Sequence, residues 1–183
     1  MLAERILLTA ADLQAMPDSG RGYELMKGEL QRMTPTSPKH GKIAARLIIR
    51  LGTFVEANEL GEVYSSETGF TLEVDPDTVR APDAAFVSAD RIPEEDDSDG
   101  YWVLAPDLVA EVLSPSDTAS TVLAKVQDYL DAGVRLVWVI DPRSKSVTVY
   151  RSLKDVQVFT VREVLSGQDV LPGFSLPVSA LFG

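Results

Sequence analysis

Two apolar runs constrain this chain more than any other feature: Leu108-Val109-Ala110-Glu111-Val112-Leu113 and Leu136-Val137-Trp138-Val139-Ile140. Runs that are apolar at successive positions have two faces to bury, as the central strands of a covered sheet do. Between them, Ser114-Pro115-Ser116-Asp117 can cap a helix over about Thr118 to Ala132, which Gly133 ends. Strand, turn, helix, glycine and strand make a crossover that joins two parallel strands. The expected class is therefore α/β. With 183 residues, 45% of them hydrophobic and 25% charged, the expectation is one domain, 1–183, around one core.

The rest of the chain supplies the flanks. Thr9 can cap a short helix, Ala10 to Met16, which Pro17 and Asp18-Ser19-Gly20 end. Tyr23 to Met26 and Leu30 to Met33 read as a β-hairpin through Lys27-Gly28-Glu29. Ile43, Leu47, Leu51, Phe54 and Val55 recur at helical spacing, which predicts a long amphipathic helix stopping near Gly61. Val63 to Ser66 and Gly69 to Val74 are expected to pair as strands. An acidic turn, a strand at Asp83 to Val87 and a polar loop from Asp90 to Gly100 follow. Ser146 to Tyr150 and Val156 to Thr160 read as a second hairpin, and Val170 to Phe182 as a closing tail. The sum is a mixed central sheet flanked by helices, with an N-terminal and a C-terminal hairpin.

Glu111 is the most informative residue in that frame. An ionised carboxylate within a buried strand costs several kcal/mol unless a cation or strong donors compensate it. The chain has no cysteine, so thiolate sites, disulfides and cysteine nucleophiles are excluded, and a metal would be held by oxygen or by the single histidine, His40. Asp83, after Pro82 on a neighbouring strand, supplies a second carboxylate, and such a pair suits a hard divalent cation. Lys125 falls at the edge of the helical stripe Val122, Val126, Tyr129 and Leu130, from which it can reach back toward the strand. Each residue also has a structural reading: an ion pair for Glu111, a strand entry for Asp83 and a snorkelling surface side chain for Lys125.

Taken together these residues resemble a known family. Arg80-Ala81-Pro82-Asp83-Ala84-Ala85-Phe86-Val87, Val109-Ala110-Glu111-Val112-Leu113-Ser114-Pro115-Ser116, and Lys125 with Tyr129, Gly133-Val134, Trp138-Val139 and Asp141-Pro142 are similar to the Uma family of restriction endonucleases. Tyr23-Glu24-Leu25, Gly28-Glu29-Leu30 and Ser37-Pro38-Lys39-His40-Gly41 match it as well. The resemblance implies the PD-(D/E)xK fold, a restriction-endonuclease-like core. It further implies a Mg²⁺-dependent DNA endonuclease in which Mn²⁺ can substitute, working as a homodimer. Asp83 and Glu111 would bind the metal, with the backbone carbonyl of Val112 as a further ligand. The family's usual lysine would stand at position 113, which here is Leu113, so the basic role falls to Lys125. Glu24, His40 and Tyr129 would belong to the pocket.

The net charge of -11 opposes that reading, because Lys and Arg contacts to phosphate supply most non-specific affinity for nucleic acid. Acidic residues crowd 67–77 and 90–99, and no basic stripe stands out. The alternative is a catalytically silent binding or regulatory module on the nuclease fold. No G-x-G-x-x-G turn, Walker-type loop or G-x-S-x-G elbow is present, so neither a nucleotide cofactor nor serine-hydrolase chemistry is indicated. Ile6-Leu7-Leu8 is too short for a signal core or a membrane span, so the expected address is cytoplasmic, with no membrane partner. Tyr23, Tyr101, Trp102 and Trp138 are read as core aromatics.

Overall fold

A computed structural model describes residues 6–94 and 100–183. The first five residues and 95–99, which hold part of the expected polar loop and of the second acidic stretch, lie outside the described residues. The crossover forms as its pattern predicts. Strand β7 (Leu108–Val112) leads through helix α3 (Ala119–Asp131) to β8 (Leu136–Asp141), and β7 and β8 pair in parallel from Leu108↔Leu136 to Val112↔Ile140. They sit at the centre of a six-stranded sheet whose other pairings are antiparallel. One flank adds β6 (Ala84–Ser88) and β3 (Gly61–Ser65); the other adds β9 (Ser146–Ser152) and β10 (Asp155–Thr160).

Helix α2 (Pro38–Ala57) covers one face of this sheet. Its Ile43, Leu47, Leu51 and Val55 pack with Phe86, Ala110, Trp138 and Ile140, and the far side of this core is closed by Leu165, Leu171 and Phe174. The last three come from a hairpin of β11 (Val164–Gly167) and β12 (Leu171–Pro177), which is followed by the short helix α4 (Ser179–Phe182). The expected closing tail is thus a strand and a helix, with β11 as an unexpected partner. Helix α3 covers the opposite face, where Val126 and Tyr129 pack with Val109, Val137 and Val139. Alternation along β7 sends Ala110 and Val112 toward α2, and Val109 and Glu111 toward α3.

A second sheet stands beside the first, in the order β2 (Glu29–Arg32), β1 (Tyr23–Met26), β5 (Thr78–Arg80), β4 (Phe70–Glu73). The hairpin of β1 (Tyr23–Met26) and β2 (Glu29–Arg32) turns at Lys27 and Gly28, both at positive φ, as a two-residue hairpin turn of the primed type demands. The expected pairing of the strands around Val63 and Phe70 does not occur. Instead β3 pairs with β6, and β4 (Phe70–Glu73) pairs with β5 (Thr78–Arg80). The tight connection at 74–77 gives β4 a local partner. The two strands that follow each other in the chain meet only through side chains, with Tyr64 edge-on to Phe70 at 5.8 Å. β5 went unread because three residues are too few to display a period, yet all three are buried. Helix α1 (Ala10–Gln14) is shorter than expected and is capped by Thr9, and α2 ends at Ala57 with Asn58 as its cap, ahead of Gly61.

Leu47 is fully buried between α2 and the sheet. Leu47→Ala is expected to cost about 2–5 kcal/mol in urea unfolding. Val158→Ala, on the exposed face of β10, should stay within about 0.5 kcal/mol.

Candidate functional site

The ladder between β6 and β7 begins at Ala84↔Ala110, with Ala81, Pro82 and Asp83 outside it. The next donor of β7, the N–H of Val112, would have no strand to bond. The side chain of Asp83 takes it instead: Oδ2 accepts from Val112 N at 2.8 Å. The same oxygen lies 3.0 Å from His40 Nε2, in the first turn of α2. His40 is buried, and its Nδ1 has no partner among the described residues, so the ring serves Asp83. The Asp83 hydrogen bond raises the imidazole pKa against the opposing effect of burial. Both contacts to Asp83 fall on Oδ2, leaving Oδ1 available to the cleft.

Glu111 lies one position along β7 from this junction, with 13% of its side chain exposed. Tyr129 donates its hydroxyl to Oε1 at 2.6 Å, and Lys125 Nζ lies 3.4 Å from each carboxylate oxygen. Lys125 and Tyr129 are four residues apart on α3 and so share the face turned to the sheet. Burial raises the Glu111 carboxyl, Lys125 opposes the rise, and the charges of Asp83 and Glu24 add to it. Burial would lower the Lys125 ammonium, but Glu111 and Glu24 outweigh it, so its pKa is raised. The Tyr129 phenol is pushed well up by burial and by the neighbouring Glu111 charge. The lysine is 32% exposed and its pair with Glu111 is open to solvent on the cleft side.

Glu24 points inward from β1. Its Oε2 lies 2.9 Å from Arg80 NH1, its Oε1 accepts the Ala81 N–H at 3.0 Å, and Lys125 Nζ is 3.7 Å away. Arg80, on β5, is only 3% exposed and also donates Nε to Asp128 of α3 at 3.1 Å. Sequence reading missed Arg80 and Asp128. The signal available was Arg80 itself, a charged residue beside the Ala81-Pro82-Asp83 entry, but an unseen strand gave no reason to bury it. Asp128 stands three residues after Lys125, on the adjoining edge of the same helical face.

Glu24, His40, Asp83, Glu111 and Lys125 line one cleft of about 480 Å³; Tyr129 lies behind it, holding Glu111. A second cleft, about 870 Å³, meets the first at His40, Ala81 and Asp83. The sequence-expected residues are therefore brought together. No cluster of three or more His, Asp or Glu side chains suited to a metal is found among the described residues. Asp83 and Glu111 are nonetheless hard oxygen donors of the kind Mg²⁺ takes, and that ion needs only one or two protein carboxylates.

A mixed sheet with a helix on each face and acids at its centre is the class of restriction-endonuclease-like folds. The structure is similar to a crystal structure from Anabaena variabilis described as that of "a putative nuclease", with a TM-score of 0.82 and 22% identity over 96% of this chain and 97% of that one. That likeness shows the fold. The chain belongs to the Uma2 family, described as "Putative restriction endonuclease", whose model matches residues 10–179. A search of curated proteins finds no match. Among the described residues, no helix is long and apolar enough to cross a membrane.

Arg80 neutralises two carboxylates at once, so its removal leaves both uncompensated. Arg80→Met is expected to destabilise the protein by about 3–5 kcal/mol in denaturant unfolding. Adding Glu24→Gln should restore part of the loss; no recovery would mean that packing, not charge, holds Arg80 in place.

Proposed function

We propose that this chain is a metal-dependent endonuclease that hydrolyses DNA phosphodiester bonds. The observation that carries the reading is the convergence of Asp83 and Glu111 on one cleft with Lys125 Nζ 3.4 Å from Glu111. Asp83 and Glu111 would hold Mg²⁺, or Mn²⁺ in its place, with the Val112 carbonyl as a further ligand. When bound, such an ion would supply a water of lowered pKa and charge compensation at a phosphoryl oxygen. His40 and the Val112 N–H fix Asp83 through one oxygen so that the other faces the cleft. Tyr129 holds Glu111 through Oε1, and Lys125 approaches both of its oxygens. Lys125, kept cationic by Glu111 and Glu24, positions the attacking water and steadies negative charge in the transition state. The protein works in the cytoplasm as a homodimer, because two copies of one site cut the two strands of a duplex.

The net charge of -11 favours a second reading, a nuclease-fold module that binds without cutting. Cleavage of supercoiled and linear DNA with Mg²⁺, with Mn²⁺ and with chelator separates the two. Asp83→Ala and Glu111→Ala are expected to lower the rate by about 10²-fold or more, and Lys125→Ala by a similar order. Cleavage that survives both acid substitutions would sink the assignment. Calorimetry showing no divalent binding by the intact protein would favour the silent module.

A further inference from the structure

Helix α2 carries a charge pattern opposite to that of the chain. From Pro38 to Val55 it holds Lys39, Lys42, Arg46 and Arg50 and no acidic residue, in a protein of net charge -11. At about 100° per residue these four fall within an arc of roughly 80° on one flank of the helix, beside the buried stripe. Lys39, Lys42 and Arg50 are exposed, and none of the three has a carboxylate partner among the described residues, although Lys39 Nζ donates to the Pro142 carbonyl at 2.7 Å. Arg46 is half-buried and donates to the Leu181 carbonyl at 3.2 Å. Two of the cations stand in the first turns of the helix, where the macrodipole favours anions, so local helix stability does not explain them.

The flank starts at the end of α2 nearest the candidate site, while the larger cleft borders the other flank of the helix at Gly41, Ala44, Ala45 and Ile48. Lys39 is followed by His40, which contacts Asp83. A recess of about 140 Å³ runs from Lys39 and Arg143 to His40 and Ser114, at the edge of the acid-lined cleft. Farther along, Arg46 and Arg50 border a shallow groove of about 510 Å³ together with Ile49 and Thr53. From Lys39 to Arg50 the stripe is about 16 Å long, which on a duplex lies alongside about five phosphates of one strand.

We infer that the exposed flank of α2, through Lys39, Lys42 and Arg50, is the surface that receives the phosphate backbone of duplex DNA and leads it to the Asp83–Glu111 cleft. The inference rests on the nuclease reading for its choice of substrate. It offers an acidic protein a route to a polyanion: from Pro38 to Val55 the helix is free of carboxylates, although Asp117 and Asp141 line the recess at its start.

The test is binding of a short labelled duplex to the whole protein, followed by fluorescence anisotropy over a salt series with chelator present so that nothing is cut. Neutralising three phosphate contacts in Lys39→Gln/Lys42→Gln/Arg50→Gln is expected to reduce the slope of log affinity against log salt by about 2–3 and to weaken binding at moderate salt about tenfold or more. The charge-keeping Lys39→Arg/Lys42→Arg/Arg50→Lys should behave as the parent, as should Lys145→Gln/Lys154→Gln, which lies outside α2. An unchanged slope in the neutralised variant, or no duplex binding by the parent at low salt, overturns the inference. So does preferential, stripe-dependent binding to phosphatidylserine vesicles, which would make the flank a membrane face. Cleavage assays of the same proteins with Mg²⁺ keep the two proposals apart. Stripe-dependent binding without Asp83-dependent cleavage removes the nuclease reading alone, and Asp83-dependent cleavage with an unchanged slope removes the surface alone.

Discussion

The carboxylate of Glu111 is the constraint around which the molecule is assembled. It leaves a central strand between Ala110 and Val112, both buried against α2, and enters the space under α3. A charge there requires compensation that the sheet cannot supply, because its neighbours across the ladders are apolar. Tyr129 and Lys125 supply it from the helix, so the docking of α3 is set by polar contacts as well as by Val126 and its hydrophobic neighbours. The same lysine approaches Glu24 of the second sheet, whose charge is answered by Arg80, and Arg80 returns to α3 through Asp128. One chain of ion pairs thus ties the central sheet, the smaller sheet and the helix together.

Asp83 meets a different need with the same economy. Beyond the end of the ladder at Ala84, a backbone donor of β7 would be left orphaned, and the aspartate closes the gap with one oxygen while His40 clamps it from α2. Asp83 is therefore held through one oxygen alone, whereas both oxygens of Glu111 are engaged, Oε1 by Tyr129 and each of the two by Lys125. That asymmetry makes Asp83 the more open donor of the pair.

The crossover, the long helix and both hairpins were legible because each is long enough for its period to show. Glu111 was legible for the opposite reason, as one charged residue breaking an apolar run. What stayed hidden depended on partners distant in the chain. The pairing of β3 with β6 and not with β4 is decided by a tight connection at 74–77 and by packing between sheets, neither of which leaves a periodic trace. β5 is too short to read, and with it went the burial of Arg80. The inward direction of Glu24 needed the hairpin's place beside β5. The basic flank of α2 was missed because the helix was read for its apolar stripe, and the total charge concealed its local reversal.

The placement of the cation on α3, and not on β7 beside the acids, has a consequence for dynamics. The acids and the Val112 backbone belong to the central sheet, the most deeply buried part of the molecule. Lys125 belongs to a thirteen-residue helix held by a smaller cluster of side chains. Elements with fewer buried contacts open locally at lower free energy than the sheet they cover. When α3 lifts, Glu111 loses both Tyr129 and Lys125 while Asp83 keeps His40 and the Val112 N–H, so under the proposed function the fraction of molecules with a complete site would follow the opening equilibrium of one helix. Under the proposed function the chemistry would be a readout of helix docking, and substitutions on the underside of α3 would tune it without touching a single group in the cleft.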